Sequence, residues 1–189
     1  MLNYKNPKAK SCVVCERVFV PQSMSQIVCR QSCALKKARA DRLAAEKAER
    51  ESIKRRKEAI KSRAEWAKEA QTAFNAWIRA RDEGLPCISC GRHHQGQWHA
   101  GHYLSTGARP ELRYTESNVH RQCAPCNTHL SGNAVLYRIG LIERIGLQAV
   151  EWLEGPHELP KWTAEDYRAI RDTYRAKLKE LKGRTCFHQ

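Results

Sequence analysis

Eight of the nine cysteines fall into four close pairs, Cys12/Cys15, Cys29/Cys33, Cys87/Cys90 and Cys123/Cys126, and only Cys186 is left over. No other feature of the chain restricts its fold as much. Thirteen residues separate the first two pairs and 32 the second two. Each couple of pairs can therefore close one tetrahedral Zn²⁺ site and weld the ends of a short insert together. In the first insert Val18, Phe19 and Val20 followed by Pro21-Gln22-Ser23 read as a short strand and a turn. A segment this small cannot bury enough apolar surface to fold alone, so zinc would supply its stability.

The 189 residues leave room for one ordinary domain plus appendages. Net charge is +14, and it is unevenly spread: +4 over 1–33, +7 over 34–82, +1 over 83–135 and +2 over 136–189. A positive field of this size favours a polyanion, with nucleic acid the default. No run of about 18 apolar residues exists to span a membrane, and Met1-Leu2-Asn3-Tyr4-Lys5 lacks the apolar core of a signal peptide. A reducing cytosol is therefore expected, where cysteines serve metals rather than disulfides.

The fold class expected is α+β, in four segments. Residues 1–34 form a zinc knuckle, with Lys5, Lys8, Lys10 and Arg17 available to DNA. Residues 35–82, rich in Ala, Lys, Arg and Glu and without Pro or Gly, read as a long basic helix. Ile53, Ile60, Ala67 and Phe74 recur there every seven residues, a thin seam suited to another helix. Lys54, Arg55, Arg56 and Lys57 are its phosphate-binding candidates. Residues 83–146 form a zinc-stapled core: a strand over Gln97–Leu104, a loop or short strand over Arg109–Tyr114, and a helix over about 127–146. Leu130, Val135, Leu136, Ile139, Leu141, Ile142 and Ile145 are the expected buried positions of that helix. Residues 147–189 hold two helices, about 147–153 and 163–182, with Thr163 and Asp166 as a capping box and Gly183 as the stop.

Six of the eight histidines lie within residues 93–129, inside or beside the second cysteine set. Phosphodiester hydrolysis needs a deprotonated water, and a histidine is its natural general base near neutral pH. His102, within the expected strand, is the candidate base, because it takes the position that the HNH motif, which this order of residues resembles, gives to its first histidine. Asn118, 16 residues on, would hold the loop and orient the imidazole. Asn127, directly after Cys126, would offer an oxygen to a divalent cation. Arg109, Arg113 and Arg121 are candidate phosphate clamps, because the guanidinium presents a bidentate fork. His93 and His94 sit in a loop, where one of them would be able to replace a cysteine on zinc. Trp98 and Tyr103 read as core.

The order His102, Asn118, Asn127, threaded through zinc knuckles, resembles the HNH (ββα-metal) endonucleases. The runs His99-Ala-Gly-His-Tyr103, Leu112-Arg-Tyr114, Asn118-Val-His-Arg-Gln-Cys-Ala-Pro-Cys-Asn127 and Leu130-Ser-Gly-Asn133 are similar to those of the NinG (Rap) recombination endonucleases of lambdoid phages. The likeness extends over the N-terminal knuckle, the basic helix and Trp152-Leu-Glu-Gly155. It implies a structure-specific nuclease acting in the host cytoplasm on branched DNA, such as Holliday junctions and D-loops. It also implies two structural zinc ions and Mg²⁺ or Mn²⁺ at the catalytic centre. A homodimer would suit the near-twofold geometry of a junction.

One position departs from the general HNH pattern. Many such enzymes carry a metal-binding Asp just before the base histidine, and here that residue is Gly101. His99, His120, His129 or Glu116 would have to substitute. His99 joins Asn127 and His120 as the catalytic-metal candidates, although strand alternation sends 99 and 102 to opposite faces unless a bulge at Gly101 intervenes. Two rival readings stand beside the nuclease: a non-catalytic zinc protein that binds DNA, and a sequence-nicking HNH enzyme of the homing type.

Overall fold

The computed structural model describes residues 8–185; Lys5 and Cys186 lie outside them. The chain divides after Ile60 into two compact units. In the first, β1 (Lys10–Ser11) pairs antiparallel with β2 (Val18–Phe19), and α1 spans Gln31–Ala59. The small module has almost no apolar core. Val13, Val18, Val20 and Met24 are 60–93% exposed, while the buried side chains are Cys12, Pro21 and Cys33. The backbone turns around the cysteines instead: the Cys12 amide donates to the Arg17 carbonyl and the Glu16 amide to that of Cys12. α1 then runs as a solvated basic helix, buried only at Cys33.

The second unit begins with α2 (Arg63–Arg81), and its last helix, α5 (Ala164–Thr185), lies parallel to it. Trp66 packs with Tyr167, and further along Trp77 meets Tyr174. Between them in sequence comes a hairpin, β3 (Trp98–His102) and β4 (Val119–Cys123), antiparallel with Trp98 opposite Cys123 and His102 opposite Val119. Ala100 and Val119 on one face join Phe74, Trp77 and Ile78 of α2. Against the other face stands α3 (Ala134–Ile145), whose Tyr137 hydroxyl donates to the Gly101 carbonyl and accepts from the His120 amide. Leu141 of α3 packs with Ile88, Leu112 and two residues of α4 (Leu147–Glu154), Val150 and Leu153. Each fully buried side chain of this kind contributes about 1.5–3 kcal/mol. No helix of the described residues is long and apolar enough to cross a membrane.

Several sequence expectations need correction. The helix expected over 35–82 starts at Gln31 and is broken between Ile60 and Ser62, where Ser62 and Glu65 form a reciprocal capping box. The seven-residue seam is therefore divided between the two units. Ile53 and Ile60 are 39% and 82% exposed, whereas Phe74 is buried against α5 within the second unit. The helix expected over 127–146 is two pieces, a π-helix over Pro125–His129 and α3, separated by the left-handed run Ser131, Gly132, Asn133. That interruption resets the helical phase. Leu130, Val135, Leu136 and Ile139 are 44–75% exposed, and Tyr137 and Leu141 are the buried pair. The short strand allowed over Arg109–Tyr114 is a 3₁₀ turn, Pro110–Leu112. Thr163 and Asp166 do cap α5, the Thr163 amide donating to the Asp166 carboxylate at 2.8 Å. Gly183 does not stop the helix, which continues through Thr185.

Candidate functional site

Both cysteine sets converge. In each, the four sulfurs lie within 4.8 Å of one another, with Cys15–Cys29 at 3.5 Å and Cys29–Cys33 at 3.8 Å. Zn–S bonds of about 2.3 Å at tetrahedral angles set sulfurs about 3.8 Å apart, so both sets fit zinc. In the first set burial pushes the Cys12 thiol up, but amides of Val14, Cys29 and Cys15 bring it down to about 6. The second set joins the Cys87–Cys90 turn to the end of β4, where the Cys123 amide donates to Cys87 Sγ at 3.4 Å. The Asn133 side-chain amide points at Cys126 Sγ, 3.7 Å away, and His94 Nε2 lies 3.3 Å from Cys90 Sγ.

The hairpin held by this staple carries the histidines. His102, the last residue of β3, places Nε2 3.0 Å from the Arg113 carbonyl. A carbonyl only accepts, so Nε2 carries the proton and Nδ1 keeps its lone pair. Burial pushes the imidazole below the ordinary histidine value of 6.5, opposed by the Arg113 carbonyl. The result is a ring that is neutral at pH 7 and basic at Nδ1. Asn118 makes no bond to His102. Its side chain instead bridges the loop that supplies the Arg113 carbonyl: Oδ1 accepts from the Leu104 amide at 2.9 Å, and Nδ2 donates to Leu104 and Leu112 carbonyls.

Asn127 lies in the π-helix, with its Nδ2 2.9 Å from His99 Nδ1. The hairpin register is unbroken from Trp98 to His102. There is thus no bulge at Gly101, and His99 and His102 point to opposite faces. The reason for the missing carboxylate is visible across the strand. A Cβ at Gly101 would meet Gln122 Oε1 at 2.1 Å. Gln122 is fully buried and cannot swing away, because its Nε2 is held at 2.6 Å by both Ser89 Oγ and the Gly132 carbonyl. The Ser131–Asn133 turn therefore serves packing against β4 and the cysteine cluster.

The remaining candidates separate. His120 is 4% exposed, with Nδ1 accepting from Arg81 at 2.8 Å and lying 3.5 Å from Asp82. Burial and the neighbouring Arg81 keep it neutral, and no bond joins it to His99 or Asn127. Glu116 is taken by Tyr174 and Lys177 of α5, and His129 is exposed. Arg109 is engaged by Glu111 and by the Glu154 and Gly155 carbonyls at the end of α4, which ties the loop rather than clamping phosphate. Arg121 stacks over Trp98 at 4.0 Å, and Arg113 lies beside Tyr114. Lys54, Arg55, Arg56 and Lys57 are exposed on α1.

Sequence reasoning missed Asp82 and Gln122. The Asp82 carboxylate, buried at the end of α2, receives Arg81 in two bonds and the Arg121 amide on the free edge of β4. Burial pushes Asp82 up, but His120, Arg81 and that amide hold it well below the usual carboxylate range. Asp82 belongs to no motif, and Gln122, inside the run Asn118–Asn127, was assigned no role there. The only signal was a polar residue inside a stretch that has to be buried.

His99 and Asn127 offer one ring nitrogen and one amide oxygen, both neutral. Mg²⁺ is usually bound by one or two carboxylates with substrate phosphates, and among the described residues no carboxylate joins this pair. The two fit as the protein's share of a cation site that a phosphate would complete, not as a resident cage.

The family model described as Bacteriophage Lambda NinG protein matches residues 4–184. The ninG protein of Escherichia phage 933W is 44% identical over 192 residues, covering 94% of this chain and 96% of that one. That of Salmonella phage P22 is 45% identical over 183 residues (89% and 90%), and that of Escherichia phage lambda 44% over 184 residues, with the same coverage. No solved structure matches the chain.

Proposed function

The chain belongs to the NinG family of lambdoid phages, and from that membership we propose that it is a structure-specific endonuclease for branched DNA in phage recombination, built on an HNH-like, zinc-stapled hairpin. The observation that carries the proposal is the His102–Arg113 hydrogen bond. It fixes the tautomer a general base needs, on a ring that burial keeps neutral. His102 Nδ1 takes the proton of the attacking water. Asn118 acts through the loop, holding the Arg113 carbonyl in place, and Arg113, whose charge is felt at the His102 ring, would meet the phosphate. Mg²⁺ or Mn²⁺ entering with the substrate would neutralise charge on the phosphate; His99 and Asn127, on the other face of the hairpin, would not hold it beside His102 Nδ1. The exposed Lys54–Lys57 run of α1 adds sequence-independent affinity for phosphates.

The absence of a carboxylate at Gly101 favours a second reading, a non-catalytic zinc protein that binds DNA. A synthetic four-way junction with Mg²⁺ or Mn²⁺ separates the two. The wild type should cut the junction and spare linear duplex. His102→Ala should lose about 10²–10⁴ in rate with binding unchanged. Junction binding without cleavage by any preparation would favour the second reading, and equal cutting of linear duplex would favour a homing-type nickase.

A further inference from the structure

A groove of about 490 Å³ lies where the C-terminal ends of α2 and α5 meet the start of β3, lined by Arg79, Glu83, Trp98, Arg121, Leu178 and Lys182 among others. Arg79 and Arg121 face one acid, Glu83. Among the described residues no carboxylate pairs with Arg79 or Arg121. The Arg121 guanidinium is already ordered, stacked over Trp98 at 4.0 Å, so little rotamer freedom is lost when it meets an anion. Trp98 and Leu178 give the groove an apolar floor suited to deoxyribose between phosphates.

The groove is separate from the candidate catalytic residues. In the hairpin register Trp98 and Arg121 share a face that excludes His99. His102 lies four residues further along β3, about 13 Å at 3.3 Å per residue. Between them that face is closed by α2, where Ala100 and Val119 pack with Phe74, Trp77 and Ile78. A strand seated in the groove therefore cannot run straight along the sheet to His102.

We infer that this groove seats the phosphodiester backbone of a second DNA segment, one that does not carry the bond to be cut. Resting on the branched-DNA reading above, it supplies a physical basis for that preference: linear duplex fills one site, and a branch fills both. Binding by the zinc-loaded full chain to a fluorescent four-way junction and to a duplex of equal length, across a salt series without added Mg²⁺ or Mn²⁺, tests it. Arg79→Glu should weaken junction binding about tenfold and flatten its salt dependence by about one unit of log–log slope, one phosphate contact being worth about 0.9. Duplex affinity should change less than about twofold, since that contact is absent there. Lys68→Glu, the same charge change at the far end of α2, should leave the junction preference intact. Equal losses for junction and duplex, no loss at all, or the same effect from Lys68→Glu would overturn the inference. Wild-type protein with no junction preference would overturn it together with the branched-DNA reading. Cleavage that survives His102→Ala, with the Arg79→Glu effect as described, would remove His102 from the base role and leave the groove standing.

Discussion

At the residue scale, chemistry and packing meet at Gly101 and His102. His102 is held neutral by burial, with its folded pKa lowered below 6.5. The sign follows directly: deprotonation, which frees the base, is complete at a lower pH than for an ordinary histidine. The rate of junction cleavage should be flat above about pH 7 and fall only below 6.5 as the ring protonates. A profile whose half-point lies above 6.5 would contradict the burial argument. Gly101 invites the opposite experiment, restoring the carboxylate of the general HNH pattern. Gly101→Asp should destabilise the protein by about 1–3 kcal/mol, because its Cβ runs into Gln122 Oε1. Thermal melting would read the loss, and Gln122→Ala in the same chain should recover part of it. A Gly101→Asp protein that melts like wild type would show that Gln122 moves freely. His102, Asn118 and Asn127 were legible as candidates because spacing relative to cysteines survives in a linear chain. Gln122 was not, because its constraint on residue 101 acts across the hairpin.

At the element scale, the hairpin is held from both sides, and the α3 side hangs on one hydroxyl. Tyr137 satisfies two buried backbone groups, the Gly101 carbonyl at 2.8 Å and the His120 amide at 3.0 Å. Tyr137→Phe keeps the ring and leaves both groups unpaired, so it should cost about 1–3 kcal/mol. Chemical denaturation with zinc present checks this, and a loss under about 0.5 kcal/mol would mean that the two groups find other partners. Element types were readable from composition, while boundaries and phases were read less well. The break near Ile60 is written in Ser62-Arg-Ala-Glu65, a capping-box pattern hidden inside an otherwise continuous helical composition. The phase of α3 was not readable, since apolar residues surround that helix. Only the left-handed run at Ser131–Asn133 decides that Tyr137 and Leu141 face inward.

At the scale of the whole molecule, the two units depend on metal to different degrees. The first buries little besides Pro21 and two cysteines, while the second adds apolar clusters around Phe74, Tyr137 and Trp66. Zinc-replete protein should contain about two zinc ions per chain, and Cys12→Ser should reduce this to about one. That variant should lose protection of backbone amides over β1 and β2 while the second unit keeps its melting transition. Retention of both ions by Cys12→Ser would argue against the four-cysteine site.

The sequence by itself determined the cysteine framework, the helical character of the basic segments and the residues from which a site would be drawn. These are properties of spacing and composition, and they persist in an unfolded chain. The tertiary structure alone decided which candidates lie together. It bonded His99 to Asn127, turned His120 toward Asp82 and aimed His102 Nε2 at a carbonyl eleven residues away. It also closed Gly101 to any side chain, because a fully buried amide from the neighbouring strand already occupies that space.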